Sequence, residues 1–388
     1  MKTNCRLSSA PLQSSPLFCV YMGALKVATA AGPNNAGSQT PDDSLKSAAD
    51  FSPYMSPTDP LPASAPQAPQ RIRRDSRLDV DLYVPHVYTD ELVQIDGDYE
   101  YRNEESARLG EGAFGIVFRG RQRRTGRAVA VKKLPTASIK PSELAVMQSL
   151  NSPYLVALLD ICPTPAMNCT YFVMELCDTD LDHHLTHCAV DRKLSGKNLR
   201  TIIENIARGY DVLYDERIVH RDIKPQNILV QYKDSDSVEI RTAKIADFGI
   251  SRVLEPGADD DQGCAYEYLS NVAGTLSYMA PEVGANLLKT CQYDFQVDMW
   301  SIGCVLYQCI TGQLPFDERS LCRLFLSAAG GNYDAYDKPE LSSSTPEVEA
   351  IVSALLEIDT RKRLTPHEFY EMAIELSSSQ TLVAEQSN

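Results

Sequence analysis

The sequence His220-Arg221-Asp222-Ile223-Lys224-Pro225-Gln226-Asn227 brings an acid, a lysine and an amide within a few positions of one another. Lys244-Ile245-Ala246-Asp247-Phe248-Gly249 then adds a second acid directly after a short apolar run. A single Asp or Asn in such a place is typical of a turn or a helix cap. Both stretches in this order, downstream of a glycine-rich stretch, are far more specific.

The glycine-rich stretch at 109–117 reads Leu-Gly-Glu-Gly-Ala-Phe-Gly-Ile-Val. Glycines let a backbone approach a triphosphate closely and point N–H groups at it. The G-x-G-x-x-G pattern alone is weak and is often only a turn. Here β-type runs precede and follow it, whereas a dinucleotide-binding fold needs a helix after the loop. The pattern therefore favours a loop between two strands.

These three stretches together resemble the motifs of eukaryotic-type protein kinases, and Lys224, two positions after Asp222, is similar to the Ser/Thr branch. The resemblance covers about residues 97–376. It implies an α+β bilobal fold, with a small β-rich N-lobe containing one helix at 97–176 and a larger, mainly α-helical C-lobe at 178–376. The apolar pattern agrees, because it predicts long helices over 198–214 and 297–311.

The resemblance implies the role of each matching residue. Asp222 would be the catalytic base that accepts the substrate hydroxyl proton. Lys224 would neutralise charge on the transferred phosphoryl group. Asn227 and Asp247 would hold Mg²⁺ through oxygen ligands, which a hard cation requires. The expected activity is transfer of the γ-phosphoryl of ATP to serine or threonine hydroxyls of protein substrates.

Lys132 would contact the α- and β-phosphates of ATP and pair with a glutamate on a helix, which the alignment places at Glu143. Only eleven positions separate the two, fewer than in most relatives, and Pro135 and Pro141 bracket the connection. The first turns of this helix are therefore expected to be missing. A strand-end lysine in solvent is the alternative interpretation of Lys132.

Nucleotide contacts are expected from the glycine loop, from the strand before Lys132, and from a hinge that follows a gatekeeper at Met174. The expected ATP-contacting residues are Leu109, Gly110, Glu111, Gly112, Ala113, Phe114, Gly115, Ile116, Val117, Ala130, Lys132, Met174, Glu175, Cys177 and Leu229.

The activation segment is expected to run from Asp247 to Glu282. Thr275 matches a position that contacts the catalytic base in Ser/Thr kinases. Phosphorylation of Ser270 would order this loop through Arg221; alternatively, the acidic run at 259–261, or nothing, serves instead. The subfamily stays open, because 174–181 is similar to MAP kinases and 274–282 to MAP-kinase kinases or NimA-related kinases.

Several residues match structural positions of the family. Asp298 would brace the catalytic loop, Trp300 would be buried, and Arg363 would pair with Glu282. A hydrophobic column joining the two lobes would contain Met147, Leu158, His220 and Phe248.

Composition limits the remaining possibilities. The net charge of −15 argues against nonspecific binding to nucleic acid, and no apolar run approaches the ~18 residues of a membrane span. The eleven cysteines are scattered without a C-x-x-C pair, which favours reduced thiols and a cytoplasmic or nuclear location. A weak N-terminal targeting peptide is the alternative.

The ends of the chain are expected to be disordered. Residues 1–92 read as a low-complexity arm that cannot bury enough apolar surface to fold, and 377–388 read as a polar tail. The arm would recruit regulatory partners, bind the kinase domain, or do neither. A pseudokinase scaffold and a small-molecule kinase are the competing functions, and Gln226 leaves the substrate sequence preference open.

Overall fold

The computed structural model describes residues 87–112, 115–139, 144, 147–248, 252–253, 276–285, 294–334, 336–341 and 344–385. Most of the predicted N-terminal arm therefore lies outside the described residues, and so do several residues to which the sequence assigned roles. These are Ala113, Phe114, Glu143, Ser270 and Thr275.

An antiparallel sheet forms the N-terminal part of the described chain, in the order β1-β2-β4-β5-β7-β6, with β3 paired to β4. Its strands are β1 (Leu92–Ile95), β2 (Tyr99–Arg102), β3 (Arg108–Gly112), β4 (Gly115–Gln122), β5 (Ala128–Pro135), β6 (Leu158–Thr164) and β7 (Cys169–Glu175). Along β4 the buried residues Ile116 and Phe118 alternate with more exposed ones, since successive side chains of a strand face opposite sides. Residues 144 and 147–149, between β5 and β6, are helical.

The sheet begins earlier than the predicted domain start at Gly97. Strand β1 pairs with β2 from Leu92 opposite Arg102 to Ile95 opposite Tyr99. Asp96 and Gly97 form the turn between them with φ values of 48° and 77°. Two successive positive φ angles are those of a type I′ hairpin turn, for which Asp-Gly is a favoured pair. The predicted boundary therefore divided a hairpin.

The C-terminal part is mainly helical. Its helices are α1 (Leu181–His187), α2 (Gly196–Asp215), α3 (Pro281–Ala285), α4 (Gln296–Thr311), α5 (Glu318–Gly330), α6 (Pro346–Leu355) and α7 (Pro366–Glu385). Its short strands are β8 (Thr179–Asp180), β9 (Ile218–Val219), β10 (Ile228–Tyr232), β11 (Ile240–Ile245) and β12 (Arg252–Val253). The predicted helices over 198–214 and 297–311 are confirmed to within two residues at each end.

Helix α4 lies at the centre of this part and has buried residues all around it. Trp300, which was predicted to be buried, has no exposed surface, and its ring stacks on Phe316 with centroids 5.5 Å apart. Asp298 is also fully buried on this helix. A buried carboxylate must find hydrogen-bond donors, and those donors lie in the candidate site.

The last helix extends past the predicted end of the folded domain at residue 376. Helix α7 begins with a capping box, because the Thr365 N–H donates to Glu368 Oε2 and the Glu368 N–H donates to Thr365 Oγ1. Its first half buries Phe369 and Ala373. The serines at 377–379 read as a tail by composition, but a helix that tertiary packing has already started propagates readily into polar residues.

Candidate active site

The glycine loop is held between β3 and β4, as its flanking pattern predicted. Gly115 opens β4 with a φ of 145°. A Cβ atom added there would overlap the Lys133 backbone oxygen, which lies on the neighbouring strand β5. Only glycine fits this contact. Leu109 on β3 is 48% exposed, and Glu111 forms an ion pair of 2.7 Å with Arg108.

One face of β4 and β5 carries the predicted cleft residues. Val117 lies opposite Lys132 in the ladder, and Ala130 lies opposite Met174 on β7. Ile116 differs, because its side chain belongs to the sheet core. Residues adjacent on a strand face opposite sides, so Ile116 offers only backbone to this face.

The predicted hinge follows the end of β7. Cys177 is buried, and burial together with the nearby Glu175 raises the pKa of its thiol to about 12, so it is a packed thiol rather than a nucleophile. The Glu175 carboxylate accepts from Lys244 Nζ at 2.8 Å and from the Ala157 N–H at 2.7 Å. Leu229 lies on β10 between Lys244 of β11 and Asp180 of β8.

Lys132 and Asp247 meet directly, with Nζ 2.6 Å from Oδ1. Burial alone would raise the pKa of Asp247. The charge and hydrogen bond of Lys132, with smaller contributions from His220 and Lys224, outweigh burial and hold that pKa below its usual value. The carboxylate is therefore ionised at neutral pH. Asp247 also has a φ of 62°, a left-handed conformation that is uncommon for residues other than glycine and is often found at functional sites.

The catalytic-loop motif converges on Asp222. Its Oδ2 accepts from Lys224 Nζ at 2.7 Å and from Asn227 Nδ2 at 2.8 Å. Asn227 Nδ2 also donates to the Asp222 backbone oxygen at 2.8 Å. These bonds fix the carboxylate beside a lysine ammonium, which is the arrangement needed to take a proton from a hydroxyl next to an anionic phosphate.

The donor set around Asn227 and Asp247 fits a divalent metal. Both N–H groups of the Asn227 amide are committed to Asp222, which turns its carbonyl oxygen to the other side. The Ala246 N–H donates to the Asn227 backbone oxygen at 2.9 Å, so the two stretches are joined just before Asp247. An amide oxygen and an ionised carboxylate are ligands for a hard cation whose other ligands are phosphate oxygens and water.

Asp298 braces the catalytic loop, as predicted. Its carboxylate accepts from the His220 N–H at 2.6 Å, the Arg221 N–H at 2.8 Å and the Tyr210 hydroxyl at 2.7 Å. Burial raises the pKa of Asp298 above its usual value, against the opposing effect of His220 and these donors. Arg221 has a φ of 69°, and this strained backbone is one that its surroundings must enforce.

His220 connects the two motifs. Its Nε2 lies 3.0 Å from the Ala246 backbone oxygen and its Nδ1 accepts from the Asp222 N–H at 3.2 Å. This pattern assigns the proton of the neutral ring to Nε2. The ring packs edge-on against Phe248 with centroids 5.4 Å apart. Phe248 belongs to the larger hydrophobic core, and Met147 packs against that core. Leu158 lies opposite Met174 in the sheet.

The predicted pair of Arg363 and Glu282 is confirmed. Two guanidinium–carboxylate bonds of 2.7 and 3.0 Å join them, and the Arg363 side chain has no exposed surface. The same guanidinium donates to the backbone oxygens of Glu357 and Gln296 and lies over the Trp300 ring. The segment that ends at Glu282 is thereby tied to the C-terminal core.

Sequence reasoning missed two contributors to the site. Lys244 was seen only as the start of a motif, yet it forms the buried pair with Glu175. Tyr210 is fully buried on α2 and supplies one donor to Asp298. Tyr210 occupies an apolar position of an amphipathic helix, so nothing in the sequence separated it from ordinary core residues.

Comparison with known proteins agrees with this geometry. The family model for the protein kinase domain matches residues 103–373. Serine/threonine-protein kinase ATG1c of Arabidopsis thaliana is 30% identical over 239 residues, covering 60% of this chain and 29% of the relative. Serine/threonine-protein kinase ULK1 of Homo sapiens is 34% identical over 235 residues, covering 58% and 20%. Myosin light chain kinase A of Dictyostelium discoideum is 29% identical over 281 residues, covering 70% and 86%.

The chain belongs to the protein kinase domain family, and its similarity to ATG1 and ULK1 confirms the predicted eukaryotic-type Ser/Thr protein kinase class. The predicted α+β architecture, a β-rich lobe followed by a helical lobe, is confirmed as well. A kinase domain uses ATP with a divalent metal. The chain spans 29% of the length of ATG1c and 20% of that of ULK1.

Proposed function

We propose that this chain transfers the γ-phosphoryl group of ATP, with Mg²⁺, to serine and threonine hydroxyls of proteins. The observation that carries the proposal is the convergence of Lys224 and Asn227 on the Asp222 carboxylate. A scaffold that only bound nucleotide would have no need to hold a carboxylate and a lysine in this arrangement.

The residues divide the reaction between them. Asp222 accepts the proton of the attacking hydroxyl as the new oxygen–phosphorus bond forms and the bond to the leaving ADP breaks. Lys224 opposes the charge on the transferred group, and Lys132 does so at the α- and β-phosphates. Asn227 and Asp247 would hold the metal, which neutralises phosphate charge when bound.

Two acids near the hinge accept hydrogen bonds from backbone N–H groups. Asp178 accepts from the Tyr232 N–H, and Asp180 caps α1 by accepting from the His183 N–H. Gln226 is exposed beside the catalytic loop. These contacts leave the preferred sequence of the protein substrate open.

The test is incorporation of labelled phosphate from ATP into a generic protein substrate, followed by identification of the phosphorylated amino acid. We expect phosphoserine and phosphothreonine, and a loss of rate of about 10²–10⁴-fold in Asp222→Asn. Asp234→Asn is the matched control, because Asp234 is an exposed turn residue. A wild-type chain that binds ATP without transferring phosphate would instead support the pseudokinase scaffold.

Location and partners are part of the proposal. The cysteines of the described segments, from Cys162 to Cys322, are free thiols, which supports a cytoplasmic or nuclear location. None of the described helices combines the length and the hydropathy that a membrane-spanning segment requires. We propose that regulatory partners bind the 1–92 arm. Removal of residues 1–86 should change the set of proteins that co-purify with the chain, but it should not change the rate of phosphate transfer to a generic substrate.

A further inference from the structure

A buried ion pair joins the two lobes beside the nucleotide cleft. Lys244 Nζ lies 2.8 Å from Glu175 Oε1, and the side chains are only 10% and 12% exposed. Glu175 ends β7 in the N-lobe, while Lys244 lies on β11 in the C-lobe, 69 positions further along the chain. Among the described residues it is the most buried pair of a lysine with a glutamate.

The Glu175 end is fixed to the sheet and to the entrance of β6. Its N–H donates to the Ala157 oxygen at 3.0 Å, and its carboxylate accepts from the Ala157 N–H at 2.7 Å. Met174, the residue before it, lies opposite Ala130 on the cleft face of the sheet. The carboxylate that receives Lys244 is therefore attached to the strand that enters the hinge.

The Lys244 end is fixed to the strand that carries the metal-site acid. Lys244 lies opposite Leu229 of β10 and three positions before Asp247. The next residue, Ile245, exchanges backbone bonds of 2.9 Å with Tyr154 and Val156 of the segment that leads into β6. Any shift of Lys244 relative to Glu175 would therefore move Asp247 relative to the hinge.

Stability alone does not explain such a pair. Removing two charges from water costs free energy that their attraction often fails to recover, and a buried pair can frequently be replaced by apolar residues without loss of stability. The ion pair can instead fix relative position, because Lys244 and Glu175 stay paired only when β11 and β7 lie in one arrangement. The pair lies between the hinge, which is expected to bind adenine, and Asp247, so it can set the distance between them.

We propose that Lys244 and Glu175 are positioning residues, which hold the hinge and Asp247 at the separation that ATP needs to contact both. The pair acts at the adenine end through the hinge and at the phosphate end through Asp247, without touching the reacting atoms. The proposal rests on the proposed phosphoryl transfer. It gives a positioning role to Lys244, which the sequence offered only as the start of a motif, and to Glu175, which the sequence offered only as a contact for ATP.

The experiment compares Lys244→Met, Glu175→Gln and the double variant for ATP affinity and thermal stability. Affinity is measured with Mg²⁺ by displacement of a fluorescent ATP analogue, and KM is measured separately for ATP and for a peptide. Each single variant should lose both stability and ATP affinity, because one partner of the buried pair is left without the other. The double variant buries neither charge, and the amide that replaces the Glu175 carboxylate can still accept from the Ala157 N–H.

The double variant separates the effect of the pair on stability from its effect on ATP binding. We expect it to regain most of the wild-type melting temperature but to bind ATP about tenfold more weakly, with an unchanged KM for peptide. Wild-type ATP affinity in the double variant would overturn the proposal. An ATP affinity that falls in step with the melting temperature across all variants would overturn it too, because that indicates only general destabilisation.

Lys338 and Glu357 provide the matched control. They form a partly buried pair of 3.0 Å in the C-terminal helical part, and Lys338→Met with Glu357→Gln should leave both affinity and KM for ATP unchanged. A wild-type chain that binds no ATP would remove the proposed function itself, and with it this inference. That result appears in the first titration, before any variant is compared.

Discussion

Lys132 and Asp247, 115 positions apart in the sequence, lie 2.6 Å from each other through Nζ and Oδ1. One side chain is expected to contact the phosphates and the other the metal that accompanies them. Each charge therefore holds the other in place inside the cleft. A metal held by Asp247 would compete with the ammonium of Lys132 for the same carboxylate.

Lys132→Met should reduce activity strongly. Loss of a preorganised charge at the phosphates should reduce kcat/KM for ATP by about 10²–10³-fold. Lys133→Met is the control, because the adjacent side chain leaves the opposite face of β5. Phosphate transfer and melting temperature are measured together, and equal activity of the two variants would contradict the role given to Lys132.

Arg363→Met should destabilise the domain strongly. The substitution removes the guanidinium that pairs with Glu282 and donates to two backbone oxygens, which should lower the free energy of unfolding by about 3–5 kcal/mol. Chemical denaturation measures it. Arg361→Met should have a far smaller effect, since the Arg361 side chain is 81% exposed and water screens its pair. Similar losses of unfolding free energy in Arg363→Met and Arg361→Met would contradict a special contribution of the buried pair to stability.

His184→Gln should reduce the sensitivity of the fold to acid. His184 is buried with its Nδ1 2.9 Å from the Tyr232 hydroxyl, and burial, with a smaller contribution from His183, lowers its pKa. Below the ordinary histidine pKa of about 6.5 the unfolded chain takes up a proton that the folded chain refuses, so stability falls as pH falls.

The measurement is the melting temperature between about pH 7.5 and 5.5, on either side of the ordinary histidine pKa. Wild type should lose more stability over this interval than His184→Gln. His367→Gln should behave like wild type, because His367 is exposed on α7. Parallel curves for all three proteins would show that His184 does not control this response.

Gly115→Ala should disturb the glycine loop through steric overlap. The new Cβ would overlap a backbone oxygen of β5, and backbone cannot move aside as a side chain can. We expect a loss of about 1–3 kcal/mol in unfolding free energy and a raised KM for ATP. Gly126→Ala is the control, since Gly126 also has a positive φ, 73°, but no atom lies within 4 Å of its added Cβ. Urea denaturation of both separates overlap from backbone strain.

The sequence predicted the residues of the candidate site better than the residues that hold them in position. Asp222, Lys224, Asn227 and Asp247 occur within two short stretches, and the structure brings them together. The pair between Glu175 and Lys244 was not predicted, because a distant partner leaves no local pattern. Chemical roles at the site remain predictions that the experiments above address.

The start of β1 and the end of α7 were not predicted from the sequence. The Asp96-Gly97 turn and the apolar residues before it were a hairpin signal, but low-complexity sequence upstream led to a boundary placed too late. At the other end, the serines of α7 carry no apolar period, so composition favoured a tail. The helix there depends on packing of Phe369 and Ala373, which local propensity does not report.

The carboxylate of Asp298 also sets an order of events during synthesis. The amides of His220 and Arg221 emerge from the ribosome 78 and 77 positions before the acid that receives them. A nascent chain can make this long-range contact only after helix α4 has been made and packed. The loop that carries Asp222 is thus completed late, only once most of the C-terminal core exists.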